Sequence, residues 1–98
     1  MKVLSNHPKM LMVTSFPPVE CGIATFSRDL INAIAKAFGA SLPVEICALE
    51  SSVFLNRKYE KTVTSVLDTS QIEQYRLRAN AINERDDIGA VCIQHEFG

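Results

Sequence analysis

No apolar run in this sequence approaches the roughly 18 residues needed to span a bilayer. Glycine is scarce, at four positions, and forms neither GxGxxG nor GxxxxGK[ST], so the chain carries no complete phosphate-binding fingerprint. The three cysteines, Cys21, Cys47 and Cys92, are odd in number and widely spaced, with no CxxC pair. That pattern speaks against a disulfide scaffold or a cysteine zinc site and for a reducing, cytoplasmic setting. HExxH is also missing, since no histidine follows His95. Charge of one sign is lacking too: the formal net charge is −1 and the signs are mixed along the chain, which leaves no footprint for nucleic acid or an anionic membrane surface. There are no internal repeats and no low-complexity tracts.

What is present is 47% apolar residues within 98, enough for one small core or for a piece of a larger one. Met1 to Pro8 reads as a lead-in containing His7, broken by Asn6 and Pro8. Met10 to Val13 is a continuous apolar run, the mark of a strand buried on both faces of a parallel sheet, and looks like a strand rather than a signal-peptide core. Pro17 and Pro18 end it, having no N–H for a ladder. The periodicity then predicts a helix from about Thr25 to Phe38, with Phe26, Leu30, Ile31, Ile34, Ala37 and Phe38 on its apolar stripe. Lys36 sits in its last turn, where the dipole favours a cation, and Gly39 follows as a left-handed cap.

Pro43 to Glu50 is the second predicted strand. Ser51 to Lys58 is a polar connection holding Phe54 and Leu55, and Lys61 to Leu67 is a third strand nearer the sheet edge. A second helix begins near Ser70. Ser70 and Glu73 have capping-box spacing, with Asp68 and Thr69 as rival caps, and Ile72, Tyr75, Ala79 and Ile82 form the stripe. Glu84 to Asp87 is a polar exit. Ala90 to Gln94 is again a continuous apolar run, expected as a central strand. The order β-α-β, β-α-β with right-handed crossovers predicts an α/β fold: half of a Rossmann-like domain, with about four parallel strands in the order 3-2-1-4 and helices on the faces. The last strand then has a bare apolar edge, which natural domains avoid. The expectation is therefore a fragment of a larger protein, or self-association through Ala90–Gln94.

In this topology two loops meet at the carboxyl edge of the sheet, Ser15 to Thr25 and His95 to Gly98, across the switch point where α/β proteins bind ligands. Gly22 would let a ligand approach the backbone, and the N–H groups of Ile23, Ala24 and Thr25 could hold an anion; alternatively, Gly22 only permits a tight turn and Thr25 only caps the helix. His95 can donate to a hydroxyl or phosphate or shuttle a proton, with Glu96 holding it or accepting from hydroxyls; the alternative is a surface His-Glu pair. Cys21 would be a nucleophile only with a base such as His95 in reach.

Two blocks carry a resemblance to a known family. MLMVTSFPPVECGIATFSRDLINAI resembles the opening of retaining GT-B type glycosyltransferases, the glycogen-synthase-like "group 1". YRLRANAIN followed by VCIQHEFG resembles the Tyr-Arg helix and QHEFG-ending strand of one branch of that group. Together the blocks span nearly the whole chain, while the stretch from about Ser51 to Leu67 contributes little. The resemblance implies two Rossmann-like domains facing across a cleft, the C-terminal one holding most of a nucleotide-sugar donor and the N-terminal one mainly presenting the acceptor. It matches Gly22 and Ile23 to the loop beside the donor phosphates or sugar, and His95 and Glu96 to the loop lining the cleft. It implies sugar transfer with retention and no bound metal or other cofactor. It also implies that residues 1–98 are part of an N-terminal domain, inactive alone for want of the donor-binding half.

Overall fold

The computed structural model describes residues 8–18, 22–50 and 58–94. Their elements are β1 (Lys9–Thr14), α1 (Gly22–Phe38), a short 3-10 turn (Gly39–Ser41), β2 (Val44–Glu50), β3 (Val63–Asp68), α2 (Ile72–Asn83) and β4 (Ile88–Ile93). The four strands form one sheet in the order β3-β2-β1-β4, and every pairing is parallel. This is the expected α/β, half-Rossmann-like arrangement. The chain winds outward from β1 through β2 to β3, then crosses back over β1 to β4. Right-handed crossovers in opposite directions put the two helices on opposite faces.

Alternation along the strands divides the core in two. Met12, Ile46 and Ala48 face α1, where they meet Phe16 and Ile31; Leu11, Cys47, Leu49 and Leu67 face α2, where they meet Ile82. β1 and β2 are buried on both sides, which is why their sequences read as continuous apolar runs. Cys47 is fully buried as a small core residue.

Four expectations need correction. First, α1 begins at Gly22 rather than Thr25, because Gly22 has an ordinary negative φ and enters the helix. Its buried face is Ala24, Ser27 and Ile31, whereas Ala37 is exposed and Phe26 and Phe38 are 58% and 56% exposed. Residues 24, 27 and 31 fall at helical spacing, and the small Ala24 and Ser27 let the helix lie close to the sheet; Phe26 is turned away from that line. Gly39 does adopt a left-handed conformation, with φ of 56°, as expected of a cap.

Second, α2 has Gln71 at its N-cap and no side-chain cap; the Ser70–Glu73 box does not form. Asp68 draws Ser70 away, accepting from its backbone N–H at 3.0 Å and its hydroxyl at 2.6 Å, while Glu73 pairs with Arg76 instead. Third, the α2 stripe is shallow: no residue of the helix is fully buried, Ile72 is 87% exposed, and Tyr75, read as a core residue, is also exposed. Ile82 is the member that packs on the sheet. Fourth, β4 runs from Ile88 to Ile93 rather than from Ala90 to Gln94; as the order 3-2-1-4 implies, it lies at the margin of the described sheet, with Val91 and Ile93 exposed. An apolar run marks a strand but does not say whether anything covers it. β3 is the other margin, as its mixed polarity suggests.

Candidate functional site

The carboxyl edge of the sheet gathers the ends of β1 and β4 and the start of α1. The Gln94 backbone N–H donates to Val13 O at 2.9 Å, tying the two strand ends together. Next to that bond is a chain of buried polar side chains. Thr14 and Ser27 are both wholly buried, and their hydroxyl oxygens are 2.7 Å apart. Ser27 Oγ lies 2.8 Å from Gln94 Oε1, and Thr14 Oγ1 lies 3.0 Å from the carbonyl oxygen of Ser15. Thr14 comes from β1 and Ser27 from the second turn of α1, so the cluster fastens strand, helix and neighbouring strand at one point.

The expected site residues fall around this cluster in part. Gly22 and Thr25 are exposed and Ile23 is half-buried, all in the first turn of α1. The tight-turn alternative for Gly22 does not hold, since its φ is not positive and a Cβ there would meet nothing within 4 Å. Thr25, inside the helix, is not its cap. His95 and Glu96 lie outside the described residues, as do Cys21 and His7. Thr14, Ser27 and Gln94 were not expected from the sequence. The signal was there: a serine at 27, on the helical line between Ala24 and Ile31, is a hydroxyl on a face that must be buried.

Two further polar groups flank the edge. Glu50, at the end of β2, is only 7% exposed, and its Oε2 accepts from the Tyr59 hydroxyl at 2.7 Å. Arg28, from α1, stacks over the buried Phe16 ring at 5.3 Å and lies 3.4 Å from Glu60 Oε2. These contacts tie Tyr59 to the end of β2 and Glu60 to α1.

The opposite, amino edge carries an ion network. Arg85 donates through both terminal nitrogens to the buried Glu45 carboxylate and through Nε and Nη2 to Asp87, and Lys9 stands 3.6 Å from Glu45. The hydrogen bond from Arg85 holds the Glu45 carboxyl below its usual value against the opposing effect of burial. The same guanidinium pulls Asp87 down to about 2, and the two carboxylates hold Arg85 protonated above its ordinary value. The network pins the α2–β4 connection to the starts of β1 and β2, far from the carboxyl edge, and is structural.

On the α2 face, the shallow helix leaves a groove of about 320 Å³ lined by Val13, Leu67, Tyr75, Ile82, Val91 and Ile93. Among the described residues no group of three His, Cys, Asp or Glu could hold a metal ion, and no helix is long and apolar enough to cross a membrane. No protein-family model, curated protein or solved structure matches the chain.

Proposed function

We propose that this chain is part of the N-terminal Rossmann-like domain of a retaining GT-B type glycosyltransferase, a hexosyltransferase taking a nucleotide-sugar donor. The observation that carries the reading is the junction of the two resembling blocks. GIATF opens α1, VCI closes β4 just ahead of Gln94, and the two are fastened to β1 through Ser27, Thr14 and Gln94. Gly22, Ile23 and Thr25 then present backbone and hydroxyl donors to the ligand, and His95 and Glu96 contact sugar hydroxyls. The bare margin at β4 supports a domain that continues beyond the four strands. The setting is cytoplasmic, and the chain by itself does not catalyse transfer. The test is donor turnover by the complete enzyme with His95→Ala: a large loss is expected, and unchanged kinetics would remove the assigned role of His95.

A second reading is favoured by one observation: β4 bears no charged residue and exposes Val91 and Ile93. On that reading the chain is a non-catalytic half-Rossmann module that self-associates through Ala90–Gln94. Sedimentation decides it, since a strictly monomeric chain excludes edge pairing.

A further inference from the structure

Hydrogens have to be counted across the buried cluster at the carboxyl edge. Three short contacts run from Gln94 to Ser27, from Ser27 to Thr14 and from Thr14 to the Ser15 carbonyl, at 2.8, 2.7 and 3.0 Å. Each hydroxyl owns one hydrogen. If Gln94 turns its carbonyl oxygen to Ser27, the Ser27 proton goes to Gln94. The single Thr14 proton must then serve both Ser27 and Ser15, and one of these two contacts holds no hydrogen. If Gln94 turns its NH2 to Ser27, every contact is filled: Gln94 Nε2 donates to Ser27 Oγ, Ser27 to Thr14 Oγ1, and Thr14 to Ser15 O. The two ends of a carboxamide are nearly identical in shape, so the hydrogen count decides between them. Thr14 and Ser27 are wholly buried, with no water to make good a missing hydrogen, and an unfilled contact there is costly.

We infer that Ser27 and Thr14 are positioning residues that fix the Gln94 carboxamide with its NH2 inward, so that its carbonyl oxygen is offered at the strand end as an acceptor for a ligand hydroxyl. Gln94 is half-buried and follows directly on the end of β4. A carbonyl oxygen accepts from a hydroxyl and repels a phosphate, whose oxygens are also acceptors. Gln94 therefore contacts the sugar and not the diphosphate. This assignment rests on the glycosyltransferase reading, and it adds a specificity-determining side chain outside the residues named for it.

The test uses the 15N-labelled 98-residue chain. One Gln94 side-chain amide proton is expected to exchange at least several-fold more slowly than those of Gln74, and Ser27→Ala is expected to abolish the difference. Equal exchange in the wild type overturns the inferred orientation. UDP-glucose and UDP are then titrated into the complete enzyme as wild type, Gln94→Leu and Ser27→Ala. The loss of one hydrogen bond predicts about tenfold weaker UDP-glucose binding in both variants, with UDP binding unchanged. Wild-type affinity for UDP-glucose in a folded Gln94→Leu chain overturns this inference alone. Failure of the complete wild-type enzyme to bind UDP-glucose overturns the ligand assignment, and its failure to turn over any nucleotide-sugar overturns the glycosyltransferase reading.

Discussion

Gly22 and Gly39 show how differently one residue type can matter. Gly39 holds a left-handed conformation that a side chain resists, so Gly39→Ala should cost about 1 kcal/mol in urea unfolding. Gly22 sits in helical geometry with open space around it, so Gly22→Ala should leave stability unchanged or raise it by up to about 1 kcal/mol. Weakened ligand binding in that stable variant would identify close backbone approach as the reason for glycine there. Arg85 is the charged residue on which most depends. Removing it as Arg85→Met leaves the buried Glu45 with Lys9 and a hydrogen bond from Thr64, and the expected loss is about 3 kcal/mol, the low end for stripping a partner from a buried carboxylate. Glu45 and Asp87 both have folded values below their ordinary values of 4.5 and 3.8. Their contribution is therefore present above those values and is lost as pH falls through the folded ones, for Asp87 at about 2. The urea midpoint of the wild type should decline between about pH 5 and about pH 2, and Arg85→Met should show a flatter profile. At this scale the sequence was least informative. The Thr14–Ser27–Gln94 cluster joins residues 67 apart in the chain, and Arg85 reaches Glu45 across 40. No local pattern announces such partners.

The elements were easier to read, because apolar runs and helical spacing are local. β1 and β2 follow from continuous burial, and the strand order follows from the handedness of the crossovers. The errors lie where neighbours decide. Asp68 competes for Ser70 and removes a capping box whose spacing was correct, and Phe26 is apolar enough for a core yet turned away from the sheet. The two helices differ in how they are held. α1 buries Ala24, Ser27 and Ile31 against the sheet, while α2 buries no residue fully and rests chiefly on β3. Local opening should follow this difference. Backbone amides of α2 are expected to exchange faster than those in the middle of α1, and Ile72→Ser should be neutral within about 0.5 kcal/mol. Equal protection of the two helices in native-state hydrogen exchange would show that α2 is held by more than the contacts described.

For the whole molecule, the contrast is between its two sheet margins. β3 displays Thr64 and Ser65 and ends in Asp68, whereas β4 is uncharged and leaves Val91 and Ile93 open beside the groove on the α2 face. Such an edge is a template for pairing. If the chain self-associates, sedimentation of the wild type should depend on concentration and Ile93→Lys should be monomeric at the same loading; a wild type that stays monomeric rules out edge pairing. The apolar run foretold the bare edge, but no sequence pattern distinguishes a strand awaiting a partner from one already between two. The position of β1 has a further consequence for the nascent chain. It leaves the ribosome before the other described strands, yet its two neighbours are β2, ending at residue 50, and β4, ending at residue 93. One flank of β1 thus stays open until almost the whole described chain has been translated. Release before Ile88 would expose that flank permanently, so products stalled within α2 should be the ones that chaperones retain.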